Sequence, residues 1–152
     1  MEYANNNQPT LVSTARLPGG DGRVNDPAQL APLSLAYMGD TVYDLFVRTL
    51  LLETTTLTVH NLHERAAKLV CAKAQANAFR RLEPMLSEAE LSVFRRGRNA
   101  HIGTVPKSAS IMDYRVATGL EALIGWLYLS GRDDRIRELM EAALSGDAGG
   151  IN

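Results

Sequence analysis

Two long apolar segments with helical spacing constrain the fold of this 152-residue chain more than any other feature. They cover residues 33–52 and 114–131, and polar residues interrupt each one before it reaches the roughly 18 apolar residues of a membrane span. The apolar residues of the first segment fall on two helical stripes, which are Leu35, Val42, Phe46 and Leu50, and Leu33, Tyr37, Val47 and Leu51. A helix with two apolar stripes is buried on most of its surface, so both segments are predicted to be core helices.

The rest of the chain carries helix signals and no strand alternation. Thr58 is a candidate N-cap for the alanine-rich stretch HNLHERAAKLVCAKAQANAFRRLEPM, which predicts one continuous helix as far as Pro84. Within that helix Cys71 is expected to be a small buried residue. The motifs SEAE at 87–90 and SIMD at 110–113 have the form of N-terminal caps. The sequence therefore predicts an all-α fold, a bundle of helices.

Composition divides the chain into one domain and two short ends. Residues 1–26 are rich in Asn, Gly and Pro and are predicted to form an irregular N-terminal arm. The predicted domain covers residues 27–145, its last amphipathic helix runs from Asp133 to Leu144, and residues 146–152 are predicted to be a flexible tail. The N-terminus lacks the build of a secretory signal, and a single cysteine excludes an intramolecular disulfide. We expect a soluble, cytoplasmic protein with no membrane partner.

Each of the two core helices contains a single acid among apolar neighbours. Asp40 is the only charged residue between Pro27 and Tyr43, and Glu121 is the only one between Val116 and Gly131. An ionised carboxylate in such surroundings is costly unless it is paired, hydrogen-bonded or bound to a cation. Two such acids that converge without a basic partner are suitable ligands for Mg²⁺, which prefers carboxylates, waters and substrate phosphates.

Other roles for these acids stay open at this point. The alternative to a metal site is that both carboxyl groups are buried and capped by Tyr, Thr or backbone groups elsewhere in the fold. Three glycines beside the acids, Gly39, Gly119 and Gly125, remove side chains where something must approach closely. Asp44 lies one turn after Asp40, so it either supports the same site or lies on the exposed side of the helix.

The middle of the chain is basic although the net charge is only −1. Between positions 60 and 107 there are nine Lys or Arg residues against four acids. This excess indicates either a polyanion partner or an ordinary solvated helix face. Few aromatic residues accompany the basic ones, which favours contact with the backbone of a duplex over stacking on single-stranded bases. The candidate phosphate contacts are Lys73, Arg95, Arg96, Arg98 and Lys107.

The sequence gives little support for a zinc site or for a nucleotide-binding motif. His60 and His63 lie three residues apart, as zinc ligands on a helix do, but no second pair supplies the remaining ligands. No Walker, Rossmann or paired-cysteine motif is present. Hydrolysis of a small phosphorylated substrate is a further candidate function. The small number of histidine ligands and the basic residues between Arg95 and Lys107 disfavour it.

Four blocks of the sequence resemble the Mini-III ribonucleases, compact bacterial relatives of ribonuclease III. They lie between residues 30 and 140 and read LSLAYMGDTVYDLFVR, LHERAAKLVCAKAQA, RRGRNA and PKSASIMDYRVATGLEALIGWLYL. The Gly-Asp pair of the ribonuclease III signature helix corresponds to Gly39 and Asp40, and a glutamate of the second motif corresponds to Glu121. Acids that larger relatives carry are replaced here by Leu33, Ala36 and Thr118, and no double-stranded-RNA-binding domain follows.

The resemblance implies a homodimeric, all-α endonuclease that cleaves double-stranded RNA with Mg²⁺ and leaves 5′-phosphate ends. It implies that Asp40 and Glu121 are the catalytic metal ligands, with Asp44 and Thr118 in supporting positions. It also implies maturation of precursor 23S ribosomal RNA as the biological role, with the five basic residues named above on the duplex phosphates. An alternative is a non-catalytic module that binds double-stranded RNA or the ribosome and has kept only the fold.

Overall fold

The computed structural model describes residues 24, 26–100, 103–105, 107 and 110–148, and this part of the chain contains helices and no strands. The all-α prediction is therefore confirmed. Short 3₁₀ turns at Pro27–Gln29 and Glu83–Met85 precede the first and the fourth helices. The six helices are α1 (Pro32–Thr54), α2 (Val59–Val70), α3 (Ala72–Leu82), α4 (Glu88–Arg98), α5 (Ile111–Leu129) and α6 (Asp133–Ala148).

The predicted caps form the boundaries of these helices. Ser87 and Glu90 make a reciprocal capping box at the start of α4, where the Ser87 hydroxyl accepts from the Glu90 amide and the Glu90 carboxylate from the Ser87 amide. Ser110 accepts from the amide of Asp113 at the start of α5. Gly131 follows α5 with a φ of 71°, a left-handed conformation that favours glycine. Local sequence therefore determines where α4 and α5 begin and where α5 ends.

Helix α5 is the centre of the bundle, since it packs against α1, α3 and α4. Its middle turns are inaccessible to solvent, and most of the domain's large buried side chains surround them. The fully buried residues of this helix include Leu120, Leu123, Ile124 and Leu127. Burying one such side chain stabilises the fold by about 1.5–3 kcal/mol, so α5 is held rigidly by its neighbours.

An ion pair joins α4 to α6 beside this core. Arg135 donates two hydrogen bonds of 2.8 Å to the Glu90 carboxylate and a third to the backbone carbonyl of Met85. Hydrogen bonding to Arg135 is the main reason that the pKa of Glu90 falls to about 2, against the opposing effect of burial. The bidentate geometry fixes the position of α4 relative to the last helix.

The prediction of one continuous helix from Thr58 to Pro84 is wrong. The chain breaks at Cys71, whose extended backbone (ψ 159°) ends α2 and serves as the N-cap of α3. Cys71 is also exposed, so the expectation of a buried cysteine is wrong as well. The alanine-rich sequence favours helix on both sides of the break, but α3 packs on α5 while α2 packs mainly on α1. Tertiary packing therefore overrides local helix propensity at this position.

Only part of the second apolar stripe of α1 is buried. Val47 and Leu51 belong to the core, whereas Leu33 is 43% exposed and Tyr37 is 81% exposed. Helix α5 covers the side of α1 that carries Leu35 and Ala36, and it leaves the opposite side open. The outward face of the first half of α1 is consequently apolar at two positions.

The two predicted ends lie largely outside the described residues. Of the arm at 1–26, only residues 24 and 26 are described. Helix α6 continues to Ala148 and so includes the first residues of the segment predicted as a flexible tail. No described helix is long and apolar enough to cross a membrane.

Candidate active site

The two lone acids meet where α1 crosses α5. Glycines at the crossing allow the backbones to touch: a Cβ on Gly39 would overlap the carbonyl oxygen of Glu121, and a Cβ on Gly125 would overlap that of Leu35. The sequence suggested that these glycines leave room for a ligand, but the opposing helix backbone fills that space. Their effect is indirect, because the close crossing brings the carboxyl groups of Asp40 and Glu121 together.

The environment of these two carboxyl groups differs. Glu121 is half-buried, whereas Asp40 is exposed, although both acids have apolar neighbours along helices predicted to be core helices. Burial raises the pKa of Glu121 to about 8, with further contributions from the negative charge of Asp40 and from a hydrogen bond between the two side chains. At neutral pH and without a cation, Glu121 therefore keeps its proton.

This pair fits a hard divalent cation. Two carboxyl groups in contact, one of them held protonated by its surroundings, gain most from a positive charge placed between them. No group of three or more Asp, Glu, His or Cys side chains with the geometry of a metal site occurs among the described residues. A cation at this position would thus have protein ligands from Asp40 and Glu121 and would complete its shell with water or phosphate oxygens.

The two predicted supporting residues have other partners. Thr118 is nearly buried one turn before Glu121, and its hydroxyl donates to the carbonyl of Tyr114 at 2.9 Å, which leaves its oxygen lone pairs free to accept. The Asp44 carboxylate accepts from Arg48 at 2.8 Å on the outer side of α1. Thr118 remains close to the acid pair, whereas Asp44 is engaged in an ion pair.

The five predicted phosphate contacts do not all lie on one surface. Arg95 and Arg98 line a cleft together with Arg80, which is not among the five phosphate contacts predicted from the sequence. Arg96 points toward the carbonyls of Ala28 and Leu30, each 3.5 Å away. Lys73 and Lys107 are exposed. A signal for Arg80 was present, because it follows Lys73 by seven residues, or two turns, on the same face of α3.

The zinc hypothesis gains nothing from the structure. The His60 imidazole lies 3.4 Å from the carboxylate of Glu64 on the exposed side of α2, and that contact explains its position. Within the described part of the chain, His60 and His63 have no further ligand beside them that would complete a metal site.

Comparisons with known proteins show the family of this chain. The family described as Ribonuclease III domain matches residues 33–132. A Mini-ribonuclease 3 from Symbiobacterium thermophilum is 47% identical over 121 residues, which cover 80% of this chain and 93% of the relative. A Mini-ribonuclease 3 from Brevibacillus brevis is 48% identical over 120 residues, 79% of this chain and 90% of the relative.

A solved structure supports the fold independently. A protein from Fusobacterium nucleatum superposes with a TM-score of 0.73 at 29% identity, and the match covers 80% of this chain and 98% of that protein. The matched family segment contains both α1 and α5, and therefore both acids of the crossing. The chain belongs to the Mini-III ribonucleases of the ribonuclease III family, and it is an endoribonuclease that acts on double-stranded RNA.

Proposed function

We propose that Asp40 and Glu121 bind Mg²⁺ and that a homodimer of this chain uses two such sites to cut double-stranded precursor ribosomal RNA. The observation that carries the proposal is the meeting of the two lone acids at the glycine crossing of α1 and α5. The same pairing explains why each apolar helix tolerates one charge. The cytoplasm, where such a precursor would be found, is the proposed location.

The chemistry divides between the two acids. Bound Mg²⁺ would activate a water for attack on phosphorus and stabilise the charge on the departing 3′ oxygen. Asp40 is exposed and lies at the entrance, where an approaching phosphodiester meets it first. Glu121, whose pKa is raised to about 8, would have to give up its proton to hold the cation together with Asp40. Cleavage would leave a 5′-phosphate on one product and a 3′-hydroxyl on the other.

The outward face of α1 supports dimer formation. Leu33, Tyr37 and Asp40 follow each other at spacings of four and three residues, so they share one face of the helix. An apolar face beside the acid pair suggests that a second copy packs there and brings its own acids near the first. A two-fold axis at this face would present two equivalent sites to a duplex, one for each strand.

RNA binding is assigned to the basic residues on α3, α4 and the segment that follows α4. The proposed contacts are with phosphates, which give affinity and little sequence preference, so binding should weaken steeply as salt increases. The residues of this set are Lys73, Arg95, Arg96, Arg98 and Lys107.

Cleavage of a long RNA duplex by the purified protein tests the proposal. We expect products only with Mg²⁺, and we expect Asp40→Asn and Glu121→Gln each to lower the rate by more than about 100-fold, since even changes to residues that only hydrogen-bond to metal ligands cost about 10–100-fold. Glu88→Gln is a matched control, because it neutralises an exposed acid on α4. Equal cleavage by wild type and both variants would exclude the two-acid mechanism.

The alternative predicted from the sequence, a non-catalytic module that binds double-stranded RNA, is disfavoured by the membership of this chain in a ribonuclease family. Leu33, Ala36 and Thr118 occupy positions at which larger relatives of the resembled family carry acids, and this is the observation in its favour. It predicts that wild type binds the duplex without cutting it at any Mg²⁺ concentration, and that Asp40→Asn binds equally well.

A further inference from the structure

A cleft between α3, α4 and the first turns of α5 lies apart from the acid pair. Its volume is about 300 Å³, the lower end of the range for small-molecule sites. On α5, Gly119 and Ala122 face α4, whereas Glu121 and Gly125 face α1. The cleft therefore opens on the other side of α5 from the acids, and its residue Asp113 is about 12 Å along the helix from Glu121. We call it the arginine cleft.

Three guanidinium groups surround this cleft without being neutralised. Among the described residues, none of them lies in an ion pair: Arg80 donates to the amide oxygen of Asn77 at 3.0 Å and Arg98 to that of Asn99 at 3.2 Å. Arg95 completes the set. Guanidinium groups without a carboxylate partner retain donors for a phosphate.

Two stacked phenylalanines are among the residues that line the arginine cleft. Phe79 and Phe94 stack with ring centroids 3.8 Å apart and an interplanar angle of 7°. Both rings are nearly buried, but the guanidinium of Arg98 lies over Phe94, 5.7 Å from its centroid. Arg98 thus offers a planar, cationic surface supported from below, and such planes stack on nucleobases.

Two carboxylates at the rim distinguish between possible ligands. Glu83 and Asp113 line the same cleft as the arginines. They would repel a bare phosphate, yet they can accept hydrogen bonds from the amino groups of a base or the hydroxyls of a ribose. Met112, 62% exposed at the rim, adds an apolar contact. Donors for phosphate, acceptors for a sugar or base and the guanidinium plane of Arg98 together match one nucleotide.

We propose that the arginine cleft binds a single nucleotide, with its phosphate at Arg80 and Arg95 and its base stacked on the guanidinium of Arg98. Bases inside a duplex are stacked and inaccessible, so the nucleotide is either an unpaired residue of RNA flanking the cleaved duplex or a free mononucleotide. Binding of an unpaired RNA residue rests on the proposed function, whereas binding of a free mononucleotide does not.

The test measures binding in EDTA, where no metal-dependent cleavage occurs. A blunt RNA duplex is compared with the same duplex carrying a short unpaired 3′ extension, by fluorescence anisotropy, and AMP is titrated separately by calorimetry. We expect the extension, AMP or both to bind in a manner that depends on Arg80. A stacked base contributes about fivefold or more in affinity, and Arg80→Gln and Met112→Glu should remove that gain while blunt-duplex binding is unchanged.

Arg137→Gln is the matched control, because it removes the same charge from the exposed side of α6. If the 3′ extension raises the affinity for the duplex and AMP does not compete with it, the nucleotide is part of the RNA. If AMP binding depends on Arg80 and the extension gives no gain in affinity, the nucleotide is a free mononucleotide. The proposal is overturned if neither ligand depends on Arg80, or if Arg137→Gln weakens binding as much as Arg80→Gln. Failure of duplex cleavage in Mg²⁺ would instead count against the proposed function alone.

Discussion

Glu121 is the residue whose chemistry depends most on its surroundings. Its pKa rises from 4.5 to about 8 because the carboxyl group is largely removed from water and faces Asp40. The same side chain on an exposed helix would be an ordinary surface acid. A cation between the two carboxyl groups reverses this effect, and metal binding should therefore release a proton near neutral pH.

This pKa makes the metal-free protein less stable as the pH rises. Between pH 4.5 and about 8 the folded state binds a proton on Glu121 that the unfolded state releases, so this contribution to stability is complete below pH 4.5 and is lost as the pH approaches 8. Glu121→Gln removes the titration. We expect the melting temperature of Glu121→Gln in EDTA to increase relative to that of wild type as the pH is raised from 5 to 9.

Thermal unfolding of both proteins at several pH values, with Glu88→Gln as the exposed control, measures the effect. Addition of Mg²⁺ should raise the melting temperature of wild type and leave Glu121→Gln nearly unchanged. A difference between the two proteins that is constant over this pH range would mean that Glu121 titrates normally in the fold.

At the scale of elements, the crossing of α1 and α5 determines the site. Gly39→Ala would place a methyl group on the carbonyl oxygen of Glu121, and a backbone atom in a rigid helix cannot move aside. We expect the helices to separate, with a loss of at least about 2 kcal/mol in the free energy of unfolding and a large loss of cleavage.

Urea denaturation in EDTA measures that loss of stability. Gly103→Ala is the control, because a Cβ there meets no atom within 4 Å. Wild-type stability and cleavage in Gly39→Ala would show that the two backbones do not touch as described.

The elements also show how far sequence alone can predict this fold. The caps at Ser87 and Ser110 are predictable from the sequence because a cap is satisfied by atoms within a few residues of it. The break at Cys71 was missed, because both sides favour helix and only packing against different neighbours separates them.

The candidate site was predictable to a similar degree. An isolated acid in an apolar helix is visible in the sequence, so Asp40 and Glu121 were both selected. Their unequal exposure was not visible, since it depends on which side of α1 the other helices leave uncovered. Tyr37 shows the same limit. It lies on a stripe predicted to be in the core, yet this tyrosine is 81% exposed.

For the whole molecule, the main question is what covers that exposed face of α1. An aromatic side chain left in water beside Leu33 loses the free energy that burial would provide, and a second copy of the chain placed there buries both. Tyr37→Glu should therefore give monomers, seen as half the wild-type mass by light scattering. Met85→Glu changes another exposed apolar residue, which lies on the turn before α4 and not on α1, and should remain dimeric.

The symmetry of such a dimer also makes a prediction about the products. If each protomer cuts one strand, a mixed dimer of one wild-type chain and one Asp40→Asn chain retains a single complete site. Purified through two different affinity tags, it should nick a duplex in one strand, while the wild-type dimer cuts both. Denaturing and native electrophoresis of the same reaction separate nicked from fully cut RNA. Double-strand cleavage by the mixed dimer at the wild-type rate would mean that one site serves both strands, and a monomeric wild-type protein would remove the need for symmetry altogether.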